Sequence, residues 1–445
     1  MSFINPHKSS ESSKSHELKS TLLALDIGTE FIKCALASPV DSGNPQKSIK
    51  FKNSLTSGKL KLLGISKSRQ ASGNMSGGSI SNIRGVISSC EEALSILEEK
   101  TKERAKTAVV GISGELVKGE TTTIRYRRDV PNRPISESEL RELLNKIESR
   151  AKNKIKGEVS LETDNPEIDL SLINSALVSL SIDGYKINNP VGFKGGEVLI
   201  EYYTAFAPTI AVSAIEKVCV ELELELLAIV VEPFAICRAC IGDEIDTDFS
   251  AILIDIGGGT TDIAVADSGD ICGTKMFNIA GRSFTRQISD SLGVKPPTAE
   301  KYKVNLEDES ILSDAVINRT TGAVNQALSI WLAGVSIALE EFKNVSPLPS
   351  DILLSGGSAN LMPLEESMAT SDWFSNLNFE RRPTIHILDP LSLPDFIFPE
   401  EIDDTCVLDC SFVTALGLLR VAVDTLLVSP EKHGLRAKIS KLLSH

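Results

Sequence analysis

Three short glycine-containing turns hold residue types that could bind a nucleotide. The first spans 26–29 and reads Asp-Ile-Gly-Thr, the second spans 255–262 with three consecutive glycines, and the third spans 355–358 and reads Ser-Gly-Gly-Ser. Each follows an apolar run that predicts a buried strand. A glycine turn lets backbone N–H groups approach phosphate oxygens, and a carboxylate at a strand end positions a hydrated cation. The pattern predicts phosphate and Mg²⁺ binding.

The second turn is the most specific of the three. Three glycines in a row, 257–259, cost backbone entropy that a plain hairpin has no need to spend. The Asp-x-Gly turn at Asp26, taken alone, is also explained as an ordinary structural turn. Because Asp26 and Asp255 both end an apolar run and precede Ile-Gly, we interpret the two as an internal duplication. Facing turns would then hold phosphates from both sides, with Mg²⁺ between the carboxylates.

Alternating strand and helix patterns surround these turns and must position them. Residues 22–36 predict a strand, a tight turn and a second strand, 226–231 a buried strand, and 233–241 a helix with proline in its first turn. The stretch 66–81 is rich in glycine and serine and is predicted to be a loop, and 300–343 is predicted to be largely helical. This alternation indicates an α/β fold with a partly parallel sheet.

A small module is predicted between residues 107 and 208. We read strand 109–112, helix 136–150, and strands 176–182 and 198–207 in that order. Ser136 is the expected N-cap of the helix, and Glu139 stands three residues later, the spacing of a capping box. The order predicts an inserted strand-helix-strand-strand unit.

Composition excludes several classes of protein. The 445 residues include 46 Lys and Arg against 60 Asp and Glu, a net charge of −14 that disfavours nucleic acid as a partner. We find no apolar run of the length that a membrane-spanning helix needs. The eight cysteines are interpreted as reduced cytoplasmic thiols, and the pairs Cys237/Cys240 and Cys406/Cys410 as buried thiols rather than zinc ligands.

The three turns, in this order and spacing, resemble the phosphate-one, phosphate-two and adenosine motifs of the actin-like ATPase superfamily. Within it the chain is similar to the bacterial cell-division FtsA family, because the module 107–208 lies where that family carries its SHS2-type subdomain. The segments 72–80 and 110–114 resemble the lead-in to that subdomain. The resemblance implies an actin-like ATPase fold with two ribonuclease-H-like halves and the inserted subdomain.

The resemblance also implies an organisation along the chain. In order, it implies a Ser-rich tail (1–20), subdomain 1A in two parts (21–106 and 209–247), the inserted subdomain 1C (107–208), subdomain 2A in two parts (248–293 and 349–405), subdomain 2B (294–348), a return helix (406–427), a linker (428–433) and an amphipathic helix (434–445).

Site residues follow from the resemblance position by position. Asp26 and Asp255 would hold Mg²⁺ through water, and Glu232 would orient the attacking water. The residues expected to contact ATP are Asp26, Gly28, Thr29, Lys33, Asp255, Gly257, Gly258, Gly259, Thr260, Thr261, Gly281, Glu300, Lys303, Gly356, Gly357, Ser358 and Asn360. Among these, Glu300 and Lys303 would hold the ribose. Glu232 is equally well explained as a first-turn helix residue favoured by the helix dipole.

One position departs from the family pattern. FtsA proteins commonly carry Lys two residues after the Thr of the first turn, where this chain has Phe31, and Lys33 follows two residues later. Phe31 and Lys33 share a strand face, so Lys33 can still reach the phosphates. Its spacing is more similar to PilM, a type IV pilus assembly protein of the same fold. A PilM-like scaffold therefore stays an alternative, and a small-molecule kinase of the superfamily is a second one.

The end of the chain predicts a basic amphipathic helix. The residues expected at a membrane surface are Leu435, Arg436, Lys438, Ile439, Lys441, Leu442 and Leu443. The apolar members fall on one helical stripe flanked by basic side chains, as in helices that lie on anionic lipid. A last helix packed on the body of the protein by the same stripe is the alternative.

The FtsA resemblance implies a function as well as a fold. It implies an ATP-binding, polymerising division protein that tethers the ring protein FtsZ to the inner membrane face at the division site and takes part in septum formation. ATP hydrolysis would be slow. The implied partners are the C-terminal tail of FtsZ, docking within 294–348, further copies of the chain in filaments, later division proteins bound through 107–208, and an anionic membrane surface.

Overall fold

The computed structural model describes residues 21–41, 44–48, 58–187, 189–242, 248–306, 308, 310–399 and 406–427. The predicted tail 1–20, the linker 428–433 and the predicted membrane helix lie outside these residues. The fold is α/β throughout.

The bounds of the strands and helices are as follows. The strands are β1 (Leu22–Ile27), β2 (Phe31–Asp41), β3 (Asn44–Ser48), β4 (Gly58–Arg69), β5 (Met75–Ser76), β6 (Ser79–Ile80), β7 (Thr107–Ile112), β8 (Lys118–Arg127), β9 (Leu170–Ile182), β10 (Tyr185–Lys186), β11 (Glu197–Pro208), β12 (Glu225–Val231), β13 (Ala251–Ile256), β14 (Thr261–Asp267), β15 (Asp270–Phe277), β16 (Asp351–Ser355), β17 (Thr384–Ile387) and β18 (Phe396–Ile397). The helices are α1 (Ile83–Thr101), α2 (Glu137–Thr163), α3 (Thr209–Glu221), α4 (Glu232–Ile241), α5 (Gly281–Leu292), α6 (Pro296–Val304), α7 (Asp314–Glu340), α8 (Met362–Thr370) and α9 (Val413–Leu427), with short 3₁₀ turns at Pro390–Ser392 and Cys410–Phe412.

Two sheets repeat one arrangement of strands. In the first, the order is β12-β7-β1-β2-β4-β18, with β3 beside β2. Strand β1 pairs antiparallel with β2 and parallel with β7. In the second, β13 pairs antiparallel with β14 and parallel with β16, and β17 follows β16. The predicted duplication of an actin-like α/β half is confirmed, and the Asp-x-Gly turns lie between the first two strands of each half.

The strands of the inserted module extend the second sheet. Its full order is β10-β9-β11-β8-β15-β14-β13-β16-β17. The junction is short, because β8 pairs with β15 only through Glu120 with Gly273 and Gly119 with Thr274. The module also contacts the first half, where the Asn174 side-chain oxygen accepts a hydrogen bond of 2.7 Å from the Val231 backbone N–H.

The first strand of the module differs from the prediction. Strand β7, which contains 109–112, lies in the first sheet between β1 and β12, so it is not part of the module. The module begins with β8, which the sequence analysis missed. Its Thr and Arg side chains alternate with apolar Ile124 and Tyr126 that are only partly buried, so the strand lacks the apolar run of a core strand.

Helix α2 is longer than predicted and begins with the predicted cap. It ends at Thr163, because Ala151, Ile155 and Val159 continue the buried stripe beyond residue 150. The Ser136 hydroxyl accepts a hydrogen bond from the Glu139 N–H, as expected. The Glu139 carboxylate receives a backbone hydrogen bond from Ser136, which completes the predicted capping box, and it also binds the Arg128 side chain at 2.7 and 2.9 Å.

Three further expectations need correction. The predicted loop 66–81 contains the end of β4 and the hairpin β5–β6. The predicted helical stretch 300–343 is divided by a break at 305–313. Helix α7, among the described residues, is long and apolar enough to cross a membrane by length and composition, contrary to the expectation that no such run exists. Half of it is buried, with Trp331 in the core of the second half, as in a packing helix.

Helix α9 fastens the end of the described chain to α4. Gly417 lies so close to α4 that a Cβ atom there would come within 2.3 Å of the Ala235 carbonyl oxygen. Asp424 binds the Arg238 side chain at 3.0 Å and the Arg420 side chain at 2.8 Å. These two guanidinium groups hold the pKa of Asp424 at about 2 against the opposing effect of its burial.

Candidate nucleotide site

A cavity of about 720 Å³ lies between the two halves and brings most of the predicted site residues together. Those on its wall are Asp26, Gly28, Thr29, Lys33, Glu232, Asp255, Gly257, Gly258, Thr260, Gly281, Glu300, Lys303, Gly357, Ser358 and Asn360. The first two turns follow β1 and β13, the corresponding strands of the two halves, and the third follows β16, which pairs in parallel with β13. The cavity size is in the usual range for small-molecule sites.

Three of the predicted site residues, Gly259, Thr261 and Gly356, do not line the cavity. The Thr261 hydroxyl donates to the Ile279 carbonyl oxygen at 2.7 Å and accepts from the indole N–H of Trp331 at 2.9 Å. Gly259 lies against Thr29, where a Cβ atom would be 2.8 Å from the hydroxyl oxygen. Gly356 lies against Asp255, since a Cβ atom there would be 2.1 Å from Asp255 Oδ1. These residues shape the turns without facing the cavity.

Lys33 pairs with Asp26 at the floor of the cleft. The two face each other across β1 and β2, and Lys33 Nζ lies 2.6 Å from the Asp26 carboxylate. Burial acts to lower the pKa of Lys33, but Asp26, Asp255 and Glu232 together raise it above its ordinary value. Lys33 is therefore a fixed cation among carboxylates. Phe31 lies at the same edge, with Lys67 Nζ 4.1 Å from the centre of its ring.

Three more buried carboxylates surround this pair. Burial raises the pKa of Glu232, Asp255 and Asp262, and the nearby carboxylates raise those of Glu232 and Asp262 further. Asp255 accepts a hydrogen bond from the Thr414 hydroxyl. Asp262 has one oxygen 3.3 Å from the Thr260 hydroxyl, and its Oδ1 is buried without a partner. Such an excess of buried negative charge favours a bound cation.

The carboxylates fit Mg²⁺ held together with water and phosphate oxygens. Within the described residues, no group of three or more His, Cys, Asp or Glu side chains forms a metal site by itself. Mg²⁺ usually keeps several waters and binds one or two carboxylates plus phosphates, so the donor set suits it. The unpartnered Asp262 oxygen is a further acceptor on the same wall.

A hydrogen-bonded group on α5 and α6 forms the opposite end of the cavity. Lys303 Nζ lies 3.0 Å from the Gly281 carbonyl oxygen, 2.9 Å from the Thr285 hydroxyl and 2.8 Å from the Glu300 carboxylate. Gly281 leaves room for Ser358, since a Cβ atom would be 2.5 Å from its hydroxyl oxygen. The Ser358 hydroxyl donates to the Gly257 carbonyl oxygen at 3.0 Å. The third turn is thereby tied to the second.

The sequence analysis missed several side chains of the cleft. Asp262 was read as the end of the second turn and not as a site residue. Thr414 and Ser411 come from the start of the return helix and carry no motif of their own. Glu30 and Arg282 line the cavity from opposite halves and pair with each other. A polar residue within three positions of a site glycine was the available signal for Glu30, Asp262 and Arg282. For Thr414 and Ser411 there was none.

The predicted membrane residues 435–443 lie outside the described residues. None of the eight cysteines, all of which lie within the described residues, forms a disulfide bond. Burial raises the pKa of the Cys237 and Cys410 thiols, which makes both poor nucleophiles and poor metal ligands.

Comparisons with known proteins show which families the chain is similar to. The family model described as cell division protein FtsA matches residues 252–416, and the model described as MreB/Mbl protein matches 197–306. The cell division protein FtsA of Bacillus subtilis is 22% identical over 83% of this chain and 80% of its own length. That of Enterococcus hirae is 23% identical over 76% of this chain and 73% of its own length. The chain is similar to FtsA proteins.

A solved structure supports the fold of this FtsA relative. The PilM-PilN type IV pilus biogenesis complex matches with a TM-score of 0.60 and 16% identity, over 92% of this chain and 99% of that one. At this identity the match shows the fold alone. In this FtsA relative the paired turns, the buried carboxylates and the Glu300–Lys303 group all face one cavity.

Proposed function

We propose that the chain is an ATP-binding, polymerising cell-division protein that tethers FtsZ to the inner membrane face at the division site. The observation that carries the nucleotide part is the cavity in which the two duplicated Asp-x-Gly turns meet around Lys33 and four buried carboxylates. The relation to FtsA supports cell division as the process.

The residues have separate roles in this proposal. The turns at Gly28 and Gly257 to Gly258 would bind phosphates through backbone N–H groups, and Lys33 would neutralise them. Glu300 and Lys303 would bind the ribose. Mg²⁺, held by Asp26 and Asp255 through water, would offset phosphate charge when bound.

Glu232 is the proposed group for orienting water. Its raised pKa keeps a larger protonated fraction than an ordinary glutamate has, and the fields of Lys33 and a bound cation both oppose this. In the phosphoryl transfer that we propose, positioning and charge stabilisation carry most of the catalysis, which fits a slow ATPase.

Calorimetry with Mg-ATP tests the nucleotide site. Asp255→Asn removes one charge from the centre of the cleft, and we expect an affinity loss of about tenfold or more. Asp290→Asn on the exposed side of α5 is the matched control, because Asp290 does not line the cavity. Equal affinities of the two variants would contradict the assignment.

Docking of the FtsZ tail is proposed on α7. Its outward side carries Ile330 and Ile337, which are 59% and 61% exposed. Helix α7 has no charged residue between Arg319 and Glu340. An exposed apolar face of this kind suits an amphipathic peptide. Ile330→Glu should abolish binding of a labelled FtsZ tail peptide, whereas Ile210→Glu on α3 should leave it unchanged.

Attachment to the membrane is proposed through 434–445, with filament formation adding many weak anchors. Co-sedimentation with anionic liposomes and Mg-ATP, comparing the full chain with one ending at Ser429, tests it. We expect salt-sensitive binding by the full chain only. Equal binding of the two chains would refute the anchor. Later division proteins are proposed to bind the inserted module.

A PilM-like pilus scaffold is the second candidate. The spacing of Lys33 favours it. Such a scaffold would bind a peptide of a membrane partner and would need no lipid-binding end. Deletion of the gene distinguishes the two: filamentous, undivided cells support the division function, and normal division with loss of pili supports the scaffold.

A further inference from the structure

Arg282 crosses the cleft from the second half to the first. It is the second residue of α5, and its Nη2 donates to the Thr29 carbonyl oxygen at 3.0 Å. Its Nε donates to the Glu30 carboxylate, 252 residues away in the sequence. The partners Thr29 and Glu30 belong to the first phosphate turn. The guanidinium of Arg282 is therefore bound to the turn that would receive phosphate.

The second phosphate turn touches the same pair. The Arg282 backbone N–H donates to the Gly258 carbonyl oxygen at 2.7 Å. A Cβ atom at Gly258 would lie 2.5 Å from Glu30 Cγ, so only glycine lets the turn approach the pair this closely. All of these residues line the cavity. Arg282 thus contacts both turns at the point where they meet.

The ion pair between Arg282 and Glu30 should add little to the stability of the protein. The Arg282 and Glu30 side chains are 38% and 30% exposed, and ion pairs with this exposure stabilise proteins little. A guanidinium, by contrast, matches phosphate oxygens with two parallel N–H groups. A polyphosphate would also enter a cleft that already holds the buried carboxylates of Asp26, Asp255 and Asp262. Its charge favours further cations on the wall in addition to Lys33 and the proposed Mg²⁺.

We propose that Arg282 is a phosphate-binding residue of the cleft and that Glu30 competes with the nucleotide for it. The inference rests on the proposed nucleotide function and adds a residue to that site. A nucleotide with two or three phosphates displaces the Glu30 carboxylate and takes over its hydrogen bonds from Arg282. A monophosphate does not reach it.

The two partners then have opposite effects on affinity. Arg282→Ala removes a charge-assisted contact, and we expect Mg-ATP and Mg-ADP to bind about tenfold to a hundredfold more weakly. Glu30→Gln removes the competitor, and we expect binding about threefold to fivefold tighter. Neither change should alter the affinity for AMP. In the double variant that combines Arg282→Ala with Glu30→Gln, the change at Glu30 should no longer raise the affinity, because Arg282 is absent.

Isothermal calorimetry with Mg-ATP, Mg-ADP and AMP measures these affinities on the full chain. Arg286→Ala is the matched control, since Arg286 is an exposed arginine on the same helix and does not line the cavity. Arg282→Lys keeps the charge and gives a second variant with an expected intermediate affinity. Thermal unfolding of each variant checks that it folds.

The outcomes separate this inference from the proposed function. If the pair only holds the cleft closed, both single variants change affinity in the same direction, and the inference is wrong. It is also wrong if Arg282→Ala behaves like the Arg286 control while the natural chain binds Mg-ATP. If the natural chain binds no nucleotide, the proposed function fails and takes this inference with it.

Discussion

Gly356 is the position where one added methyl group should damage the site most. Its φ is +89°, in the region that side-chain-bearing residues avoid. A Cβ atom there would be 2.1 Å from Asp255 Oδ1 and 2.6 Å from the Ile256 carbonyl oxygen. Both contacts are far inside van der Waals distance, so alanine forces Asp255 or the turn to move.

The size of the effect follows from two terms. The left-handed backbone costs an alanine about 1–2 kcal/mol. Relieving the overlap by shifting packed groups costs about 1–3 kcal/mol more. Gly356→Ala should therefore lower the free energy of unfolding by about 2–5 kcal/mol. Displacement of Asp255 should weaken Mg-ATP binding in the fraction that stays folded.

Gly357 offers a matched control next in sequence. Nothing lies within 4 Å of a Cβ atom built there, and its φ is outside the left-handed region. Urea denaturation of Gly356→Ala and Gly357→Ala, followed by calorimetry with Mg-ATP, compares the two. We expect Gly357→Ala to keep nearly all of the stability. Similar losses in both variants would refute the argument from this geometry.

Further predictions concern single residues of the cleft and of α9. Burial and the neighbouring carboxylates raise the folded-state pKa of Glu232, so the natural chain should lose stability as the pH rises above the ordinary glutamate value of 4.5. Urea titrations of Glu232→Gln should show a smaller loss over the same rise in pH. The pKa of Asp424 is shifted in the opposite direction, from 3.8 to about 2. The carboxylate therefore contributes about 2 kcal/mol to the free energy of unfolding above pH 4, and this contribution should disappear as the pH falls to 2. Acid titrations of Asp424→Asn should lack that step. Gly417→Ala should push α9 away from α4 and lower the melting temperature, while Gly322→Ala, with nothing within 4 Å on α7, should not.

The hydrophobic pattern of the sequence was sufficient to predict the two strands that lead into the Asp-x-Gly turns. The run 22–27 and the run 251–256 are apolar at every position except the aspartate, and both are buried throughout. Strand β8 could not be found in this way, because one of its faces is open and its sequence holds Thr and Arg. The break before α7 was missed because 300–343 was read as one helical pattern, although the largely polar stretch 305–310 was a signal for it.

Only the site residues that belong to sequence motifs could be predicted. Asp26 and Asp255 stand in repeated turns, so the sequence could bring them together. The hydrogen bond from Thr414 to Asp255 joins residues 159 apart, and the pairing of Glu30 with Arg282 joins residues 252 apart. Such contacts depend on how the two halves are placed against each other, which no local pattern records.

The short junction between β8 and β15 has a mechanical consequence. The module is part of the first half by sequence, yet its sheet continues that of the second half through two residue pairs. The hydrogen bond from the Val231 N–H to Asn174 holds it to the strand that leads directly into Glu232. Two hydrogen bonds add to the junction, one from the Thr121 hydroxyl to the Cys272 carbonyl oxygen and one between the Tyr203 and Thr274 hydroxyls. The module is therefore bonded to both halves, and a rotation of one half against the other would have to strain or break bonds on one of its two sides.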